Sequence, residues 1–460
     1  MNTLRTRRRF LRPLAALLAA VAVGLPAPAA IAAPAAIAAP AAGGPASASD
    51  PVRELRAAAG PLTDVPTLER IVGSAKVVGI GEATHSSTEF FAAKHRIFEE
   101  LVERRGFTTF ALEANWSTGL LVDDYVRHGR GDIATIMRDE FQNSYAFWDT
   151  AEYLDLFTWM RRHNLRHPEH PVHFMGNDLG YAGPNLFDKV TDYVARTRPA
   201  LLPRFRELYR TSRPTGDDVD AWMNAYMFKP GAERRAMGEN VRQALDLLRR
   251  QGPAGPDRAA REAYTWAVQH ARAIAQVGTE YAYDFMTDEG VAGAMLYRDR
   301  VMAENTVWWQ RHTGDRMVLS AHNDHVGYRS AVPATYPRTQ GSFLRDALGR
   351  DYVALGSAFG QGSFNAHDSR EEGEPVRTFT VGPLGADSNA AVLDRVSDRP
   401  FLLDPRRATP AARTWLATAR PSRSIGTTYP WPGDVSDVSL SRSFDAVAYF
   451  PRISAAKLRH

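Results

Sequence analysis

Apolar runs that each end in an ionisable residue recur along this sequence, and that recurrence constrains the fold more than any other feature. The first run, Lys76-Val77-Val78-Gly79-Ile80-Gly81, is short and closed by glycine. After it, Phe90, Phe91, Lys94, Ile97, Phe98, Leu101 and Val102 recur every three or four residues, the period of a helix with one buried stripe. Phe107 to Leu112 is again strand-like. Strand, helix and strand within roughly 35 residues is the spacing of a βαβ unit, so the sheet is expected to be parallel. Further strands are expected at Val172 to Gly176, Arg316 to Ser320, Tyr352 to Gly356 and Phe444 to Phe450. The chain therefore reads as α/β, a mainly parallel sheet with flanking helices.

Between the third and fourth strands the periodicity is helical throughout. Residues 181–313 are accordingly expected to form a helical insertion or cap domain, with breaks at Pro214, Pro230-Gly231 and Gly252 to Pro256. Residues 50–180 and 314–455 then make the α/β catalytic core. Residues 1–32 read as a signal peptide: a basic Thr6-Arg7-Arg8-Arg9-Phe10-Leu11-Arg12, an apolar run from Leu14 to Leu25, then Ala30-Ile31-Ala32. The run is shorter than the ~20 residues a membrane span needs, so no stable anchor is expected. The arginine pair resembles a twin-arginine export signal, with Sec export as the alternative. Residues 33–49 form an Ala/Pro-rich tether, and the mature protein is expected to be secreted or held in the cell envelope.

Charge excludes one class of partner. The net charge is +4, but Arg5, Arg7, Arg8, Arg9 and Arg12 all lie in the leader. Removing those five from the 56 basic residues leaves 51 against 52 acidic ones, which gives no bulk attraction for nucleic acid. With no cysteine in the chain, a thiolate nucleophile, a thiolate metal site and disulfides are all excluded.

In an open parallel sheet the binding crevice lies beyond the carboxyl ends of the strands. Four of the expected strands deliver ionisable residues there: Glu82 and His85, Glu113 with Asn115 and Trp116, Asp178, and His322 with His325. Their coincidence concentrates titratable groups in one crevice. Glu82 and His85 are three apart in a turn, close enough for the carboxylate to orient the imidazole as a general base. Lys94 lies on the helix stripe that faces the sheet, so it must either snorkel out or meet Glu82 or Glu113. Arg298 lies on a second apolar stripe and is expected to serve an anionic group of protein or substrate. Catalytic roles are thus expected for His85, Glu82, Glu113, His322, His325 and Lys94, and substrate contacts for Asn115, Trp116, Asp178 and Arg298.

His322 and His325 leave two chemistries open, metal-free proton transfer or a divalent metal held with Glu82 or Glu113. No cofactor is expected beyond that metal alternative. The sequence lacks the Gly-x-Ser-x-Gly elbow and both glycine-rich phosphate loops. A non-catalytic exported protein that holds a ligand in the same crevice is the reading from another class.

Gly-Glu-Ala-Thr-His at 81–85, Glu-Phe-Phe and Lys-His-Arg within 89–96, Ala-Leu-Glu-Ala-Asn at 111–115, Arg-Asp-Arg-Val-Met-Ala-Glu-Asn at 298–305 and Ala-His-Asn-Asp-His at 321–325 together resemble the erythromycin esterase family. The resemblance implies hydrolysis of a small-molecule ester or lactone, a macrolide in the named members, by water and without a covalent acyl-enzyme. It implies that His85 is the general base, that Glu82 and Glu113 are its partner carboxylates, and that His322 and His325 form the second histidine motif. Lys94 stands where the macrolide-cleaving members have arginine, keeping the charge but losing the bidentate fork.

Overall fold

A computed structural model describes residues 51–216 and 218–459. The leader at 1–32 and the tether at 33–49 lie outside the described residues. Twelve strands are found among the described residues: β1 (Ala59–Pro61), β2 (Val77–Ile80), β3 (Phe107–Asn115), β4 (His173–Asp178), β5 (Arg316–Ser320), β6 (Tyr352–Asp368), β7 (Val376–Val381), β8 (Phe401–Leu403), β9 (Arg420–Arg423), β10 (Thr428–Tyr429), β11 (Val435–Val438) and β12 (Ala446–Ile453).

The main sheet has the order β1-β8-β12-β6-β2-β5-β3-β4, with β7 and β10 also paired to β6. From β12 to β4 every pairing along that path is parallel. These six strands are the six expected from the sequence, and their legibility has a physical cause. A parallel strand covered on both faces must be apolar throughout, and in β2 Val77, Val78, Gly79 and Ile80 are all buried. Val78 lies opposite Val318 of β5 on one side and Val353 of β6 on the other.

Chain order and spatial order differ at one decisive place. β5, which follows the helical segment, enters the sheet between β2 and β3. Its trailing loop, Ala321 to His325, therefore emerges between the end that carries Glu82 and the end that carries Glu113. Four strand ends that are up to 240 residues apart in sequence become immediate neighbours.

The helix Thr88–Arg105 follows β2 and buries Phe90, Phe91, Lys94, Ile97, Phe98 and Leu101, the stripe expected from its periodicity. It stops at Gly106, whose φ of 64° is a left-handed cap that glycine adopts without strain. After β4 come helices Pro184–Thr197, Leu202–Tyr209, Val219–Met227, Gly231–Gln251, Arg258–Glu280 and Asp288–Thr313; three of the breaks fall at Pro214, Pro230-Gly231 and Gly252 to Pro256, and those after Thr197 and Glu280 were not expected. The last of these leads directly into β5 and carries Arg298 and Asn305 buried on one face.

The antiparallel β1, β7 and β8 and the short parallel β10 were not foreseen. β1 and β8 extend the sheet beyond β12, while β7 and β10 pair with the far half of β6, which runs past the mouth of the sheet. They are short or half exposed, so they lack the continuous apolar run that marks a central strand. Among the described residues no helix is long and apolar enough to cross a membrane.

Candidate active site

The turn after β2 is locked to the neighbouring strand ends by a close backbone approach. A Cβ on Gly81 would lie 2.2 Å from Asn323 Oδ1, so only glycine lets the β5 loop come this near. Asn323 donates its backbone N–H to Glu82 O at 2.9 Å. Its side chain donates to Ser357 O at 2.7 Å and accepts from Ser357 N–H at 3.0 Å. The ends of β2, β5 and β6 are thereby held in fixed relation.

Glu82 is fully buried and divides its oxygens between two partners. Oε1 faces His85 Nδ1 at 2.8 Å, and Oε2 accepts from the Lys94 ammonium. Burial alone would raise this carboxyl, but Lys94 and then His85 outweigh it and hold its pKa below the ordinary value. Burial also pulls Lys94 below its usual range, with Glu82 opposing. The remaining ammonium protons reach Ser320 Oγ at 2.9 Å and Ala321 O at 3.4 Å. All three donors of Lys94 are committed. Lys94 is therefore the charge partner of Glu82, so the catalytic role expected of it acts through that carboxylate: the helix stripe aims it at the floor of the turn, where snorkelling is closed off.

His85 and His322 face each other with ring centroids 4.9 Å apart, and both line one cavity. With Nδ1–H donated to Glu82, His85 keeps a lone pair on Nε2. His322 is arranged the opposite way. It caps the short helix Asn323–Val326, its Nδ1 accepting from Asp324 N–H at 3.3 Å. Burial, reinforced by His85, lowers its pKa to about 4, so the ring is neutral at pH 7 and its proton is on Nε2. That Nε2 is buried and has no hydrogen-bond partner. One ring thus presents an acceptor and the other a donor.

A second cluster lies beside them. Arg298 grips Asp178 in a fork, Nε to Oδ1 at 2.9 Å and Nη2 to Oδ2 at 2.5 Å, and Nη2 also reaches Glu113 Oε1 at 2.8 Å. Glu113 Oε2 accepts the backbone N–H of His322 at 2.9 Å. His325 places Nδ1 at 2.9 Å from Asp299 Oδ1 and Nε2 at 3.3 Å from Glu113 Oε1. Burial would lower His325, yet Asp299 and Glu113 override it and raise its pKa to about 10. It is an imidazolium at neutral pH, so the 3.2 Å approach of Arg298 Nη1 to Nε2 is a meeting of two cations bridged by Glu113. Glu113 is in turn held well below the carboxylate range against its burial, first by His325, then by His85 and Arg298.

The ten residues expected at the site do not all reach the cavity. His85, Glu113, Arg298, His322 and His325 line it. Glu82 and Asp178 lie behind that wall as partners of His85 and Arg298, and Lys94 lies behind it as the partner of Glu82. Asn115 and Trp116 are corrected from substrate contacts to structural roles, because β3 passes straight into the helix Trp116–His128. Asn115 Oδ1 accepts from Tyr181 N–H at 2.8 Å, and Trp116 packs against His270, Trp308 and Trp309.

Sequence reasoning missed the groups that close the cavity. Tyr145 and Trp148 come from the 3-10 segment Asn143–Trp148, and Thr427, Thr428 and Trp431 from the loop after β9. The run Thr427 to Asp434, with two prolines and a glycine among aromatic and polar residues, was the available signal for a structured turn. Of residues 181–313, Arg298 alone lines the cavity. Among the described residues no three His, Asp or Glu side chains gather in a set that would hold a metal ion.

Comparison with known proteins adds a relationship. The family model described as erythromycin esterase matches residues 102–453. Erythromycin esterase type II of Escherichia coli is 24% identical over 311 residues, covering 64% of this chain and 71% of its own length. The crystal structure of a Bacillus cereus protein is similar at a TM-score of 0.78 and 27% identity, over 90% of this chain and 100% of that one. An erythromycin esterase mutant, EreC, in its open conformation has a TM-score of 0.66 at 17% identity, over 86% of this chain and 95% of its own, which is a likeness of fold.

Proposed function

The chain belongs to the erythromycin esterase family, and on that premise we propose that it hydrolyses an ester or lactone with water activated by His85, without an acyl-enzyme. The observation that carries this reading is the opposed pair of imidazoles in one cavity wall, His85 with Nδ1 on Glu82 and His322 with Nδ1 on a backbone N–H and a buried, unpartnered Nε2. His85 takes a proton from water as the oxygen attacks the carbonyl, and Glu82, itself balanced by Lys94, stabilises the imidazolium that forms. His322 Nε2–H and the Nη1 face of Arg298 receive the developing oxyanion. When the tetrahedral intermediate collapses, the proton on His85 passes to the leaving alkoxide. Glu113 is ionised and cannot donate that proton; it holds the His322 backbone and separates His325 from Arg298.

Water as nucleophile is supported by what surrounds the serines. Ser424 Oγ donates to Asp324 Oδ2 at 2.6 Å, and among the described residues no serine hydroxyl is hydrogen-bonded to a histidine ring. Metal-free chemistry fits the commitment of both His325 nitrogens to carboxylates. The macrolide lactone named for the relatives is one candidate substrate class. Export of the full chain to the envelope or medium belongs to the same proposal, and Arg7→Lys/Arg8→Lys should retain the protein in the cytoplasm if the route is twin-arginine.

The test is His85→Gln in the full chain, assayed on a panel of esters and lactones by the mass gained on addition of water. Turnover should fall by about 10²–10⁴-fold with the circular dichroism spectrum unchanged, and retained turnover would overturn the assignment.

A further inference from the structure

The cavity in front of His85 is small, and several of its lining residues carry buried hydrogen-bond donors that are unmet. Its volume is about 60 Å³. A water needs roughly 10–15 Å³ by that measure, so the space holds about four to six heavy atoms, whereas drug-sized ligands occupy pockets of about 300–1,000 Å³.

Five buried polar groups of lining residues have no hydrogen-bond partner: Trp148 Nε1, His322 Nε2, Thr427 Oγ1, Thr428 Oγ1 and Trp431 Nε1. Three of them come from the single loop that covers the cavity. That loop is pinned on both sides, Ile425 N–H to Ala83 O at 2.9 Å and Ser424 Oγ to Asp324, while Thr428 and Tyr429 pair with His367 and Asp368 of β6. Trp431 is held by its backbone N–H on Asp434 Oδ2 at 2.6 Å, and its ring lies so close over Gly433 that a Cβ there would fall 1.7 Å from it. An indole N–H only donates, so the group that satisfies it must be an acceptor oxygen.

Charge narrows the ligand further. Lys94 is fully committed to Glu82, Ser320 and Ala321, and Arg298 lies between Asp178 and Glu113. The buried carboxylates Glu82, Glu113, Asp178 and Asp299 outnumber the cations Lys94, Arg298 and His325. A second carboxylate brought in by a substrate would find no positive partner other than the Arg298 Nη1 face that the oxyanion takes.

Resting on the esterase reading above, we infer that this enzyme acts on uncharged esters of short carboxylic acids, with the acyl group enclosed in the cavity, its carbonyl oxygen on His322 and Arg298 and the ester's alkoxy oxygen held by Trp431, Trp148 and Thr427. A macrolactone does not fit beneath the loop as it is pinned, and an acyl group bearing its own carboxylate is repelled. In this reading Trp431 and Thr427 set specificity, while the water-activating groups set the reaction.

The experiment measures kcat/KM of the full chain for p-nitrophenyl acetate, butyrate, octanoate and hemisuccinate, and follows erythromycin ring opening by mass spectrometry. Acetate or butyrate should exceed octanoate by about a hundredfold, with hemisuccinate and erythromycin slower still. Trp431→Phe, which keeps the ring and deletes the N–H, should raise KM for the acetyl ester about tenfold at unchanged stability. Trp431→Ala should move the optimum towards octanoate; if that variant fails to fold, Thr427→Val gives the second reading, with KM raised as in Trp431→Phe. Erythromycin opened about as fast as the best short ester, an octanoate preference in the wild type, or unaltered KM in both Trp431→Phe and Thr427→Val would overturn the inference and leave the esterase reading standing. No turnover of any ester or lactone would instead overturn the esterase reading, and the inference with it.

Discussion

Replacing Glu82 by Gln removes one charge from a pair sealed from water, and its consequences separate stability from chemistry. Gln keeps an oxygen for His85 Nδ1–H but leaves the Lys94 ammonium with only Ser320 Oγ and Ala321 O. Removing one partner of a buried pair costs about 3–5 kcal/mol. Lys94 limits that cost by releasing its proton. Its folded pKa already lies below the ordinary value because of burial, with Glu82 as the chief opposing influence. Without Glu82 the folded pKa falls further, while the unfolded chain keeps a value of about 10.4. The folded variant then binds fewer protons than the unfolded one, so its stability rises with pH up to about 10.4, by at most about 1.4 kcal/mol per pH unit. Glu82→Gln/Lys94→Met removes both charges and should return to within about 1 kcal/mol of the wild type. Urea unfolding of the four members of this cycle between about pH 6 and 9 gives every quantity needed. Both variants should lose about 10²–10⁴-fold in turnover, because the imidazolium on His85 loses its counter-charge. A double variant as unstable as Glu82→Gln, or a Glu82→Gln deficit independent of pH, would refute the reasoning.

Other outcomes follow from the same geometry. His322 has a folded pKa of about 4 against an unfolded value of about 6.5, so between them only the unfolded chain binds the proton. Wild-type stability should therefore fall as pH drops through that window, and His322→Gln should flatten the fall while reducing turnover. Glu280 is the reverse case: burial, with Asp178 nearby, raises it to about 8, and neither of its oxygens has a hydrogen-bond partner. Stability present below about pH 4.5 should decline towards pH 8 as the unfolded carboxyl ionises, and Glu280→Gln should remove that decline in urea midpoints. Gly81→Ala places a methyl against Asn323 and should cost about 1–3 kcal/mol, with turnover falling as the β2 and β5 loops separate. Turnover should survive exhaustive treatment with EDTA, and loss restored by a divalent metal would favour the metal-dependent alternative.

Six parallel strands were legible because each is buried on both faces and so must be apolar along its length. The edge strands β7 and β10 gain their place only by pairing with β6, and nothing in their own composition announces it. Lys94 shows the same division within one side chain. Its position on a buried stripe left two outcomes, snorkelling or a carboxylate; which of them, and that no proton would remain for a substrate, depended on Glu82 and on Ser320 and Ala321 arriving from a distant strand. Asn115 and Trp116 were misplaced because a strand end in sequence does not reveal how soon the next helix begins.

From sequence alone, then, came the α/β class, the parallel core and the set of ionisable residues at its carboxyl edge, because hydrophobic periodicity and local turns are properties of neighbouring residues. The tertiary structure decided the rest. Insertion of β5 between β2 and β3 brought two histidines face to face, and their opposite proton placements follow from partners, Glu82 for one and a backbone N–H for the other, that periodicity does not encode. The size of the cavity was decided by a loop more than 300 residues from His85, through contacts that exist only once the chain has folded.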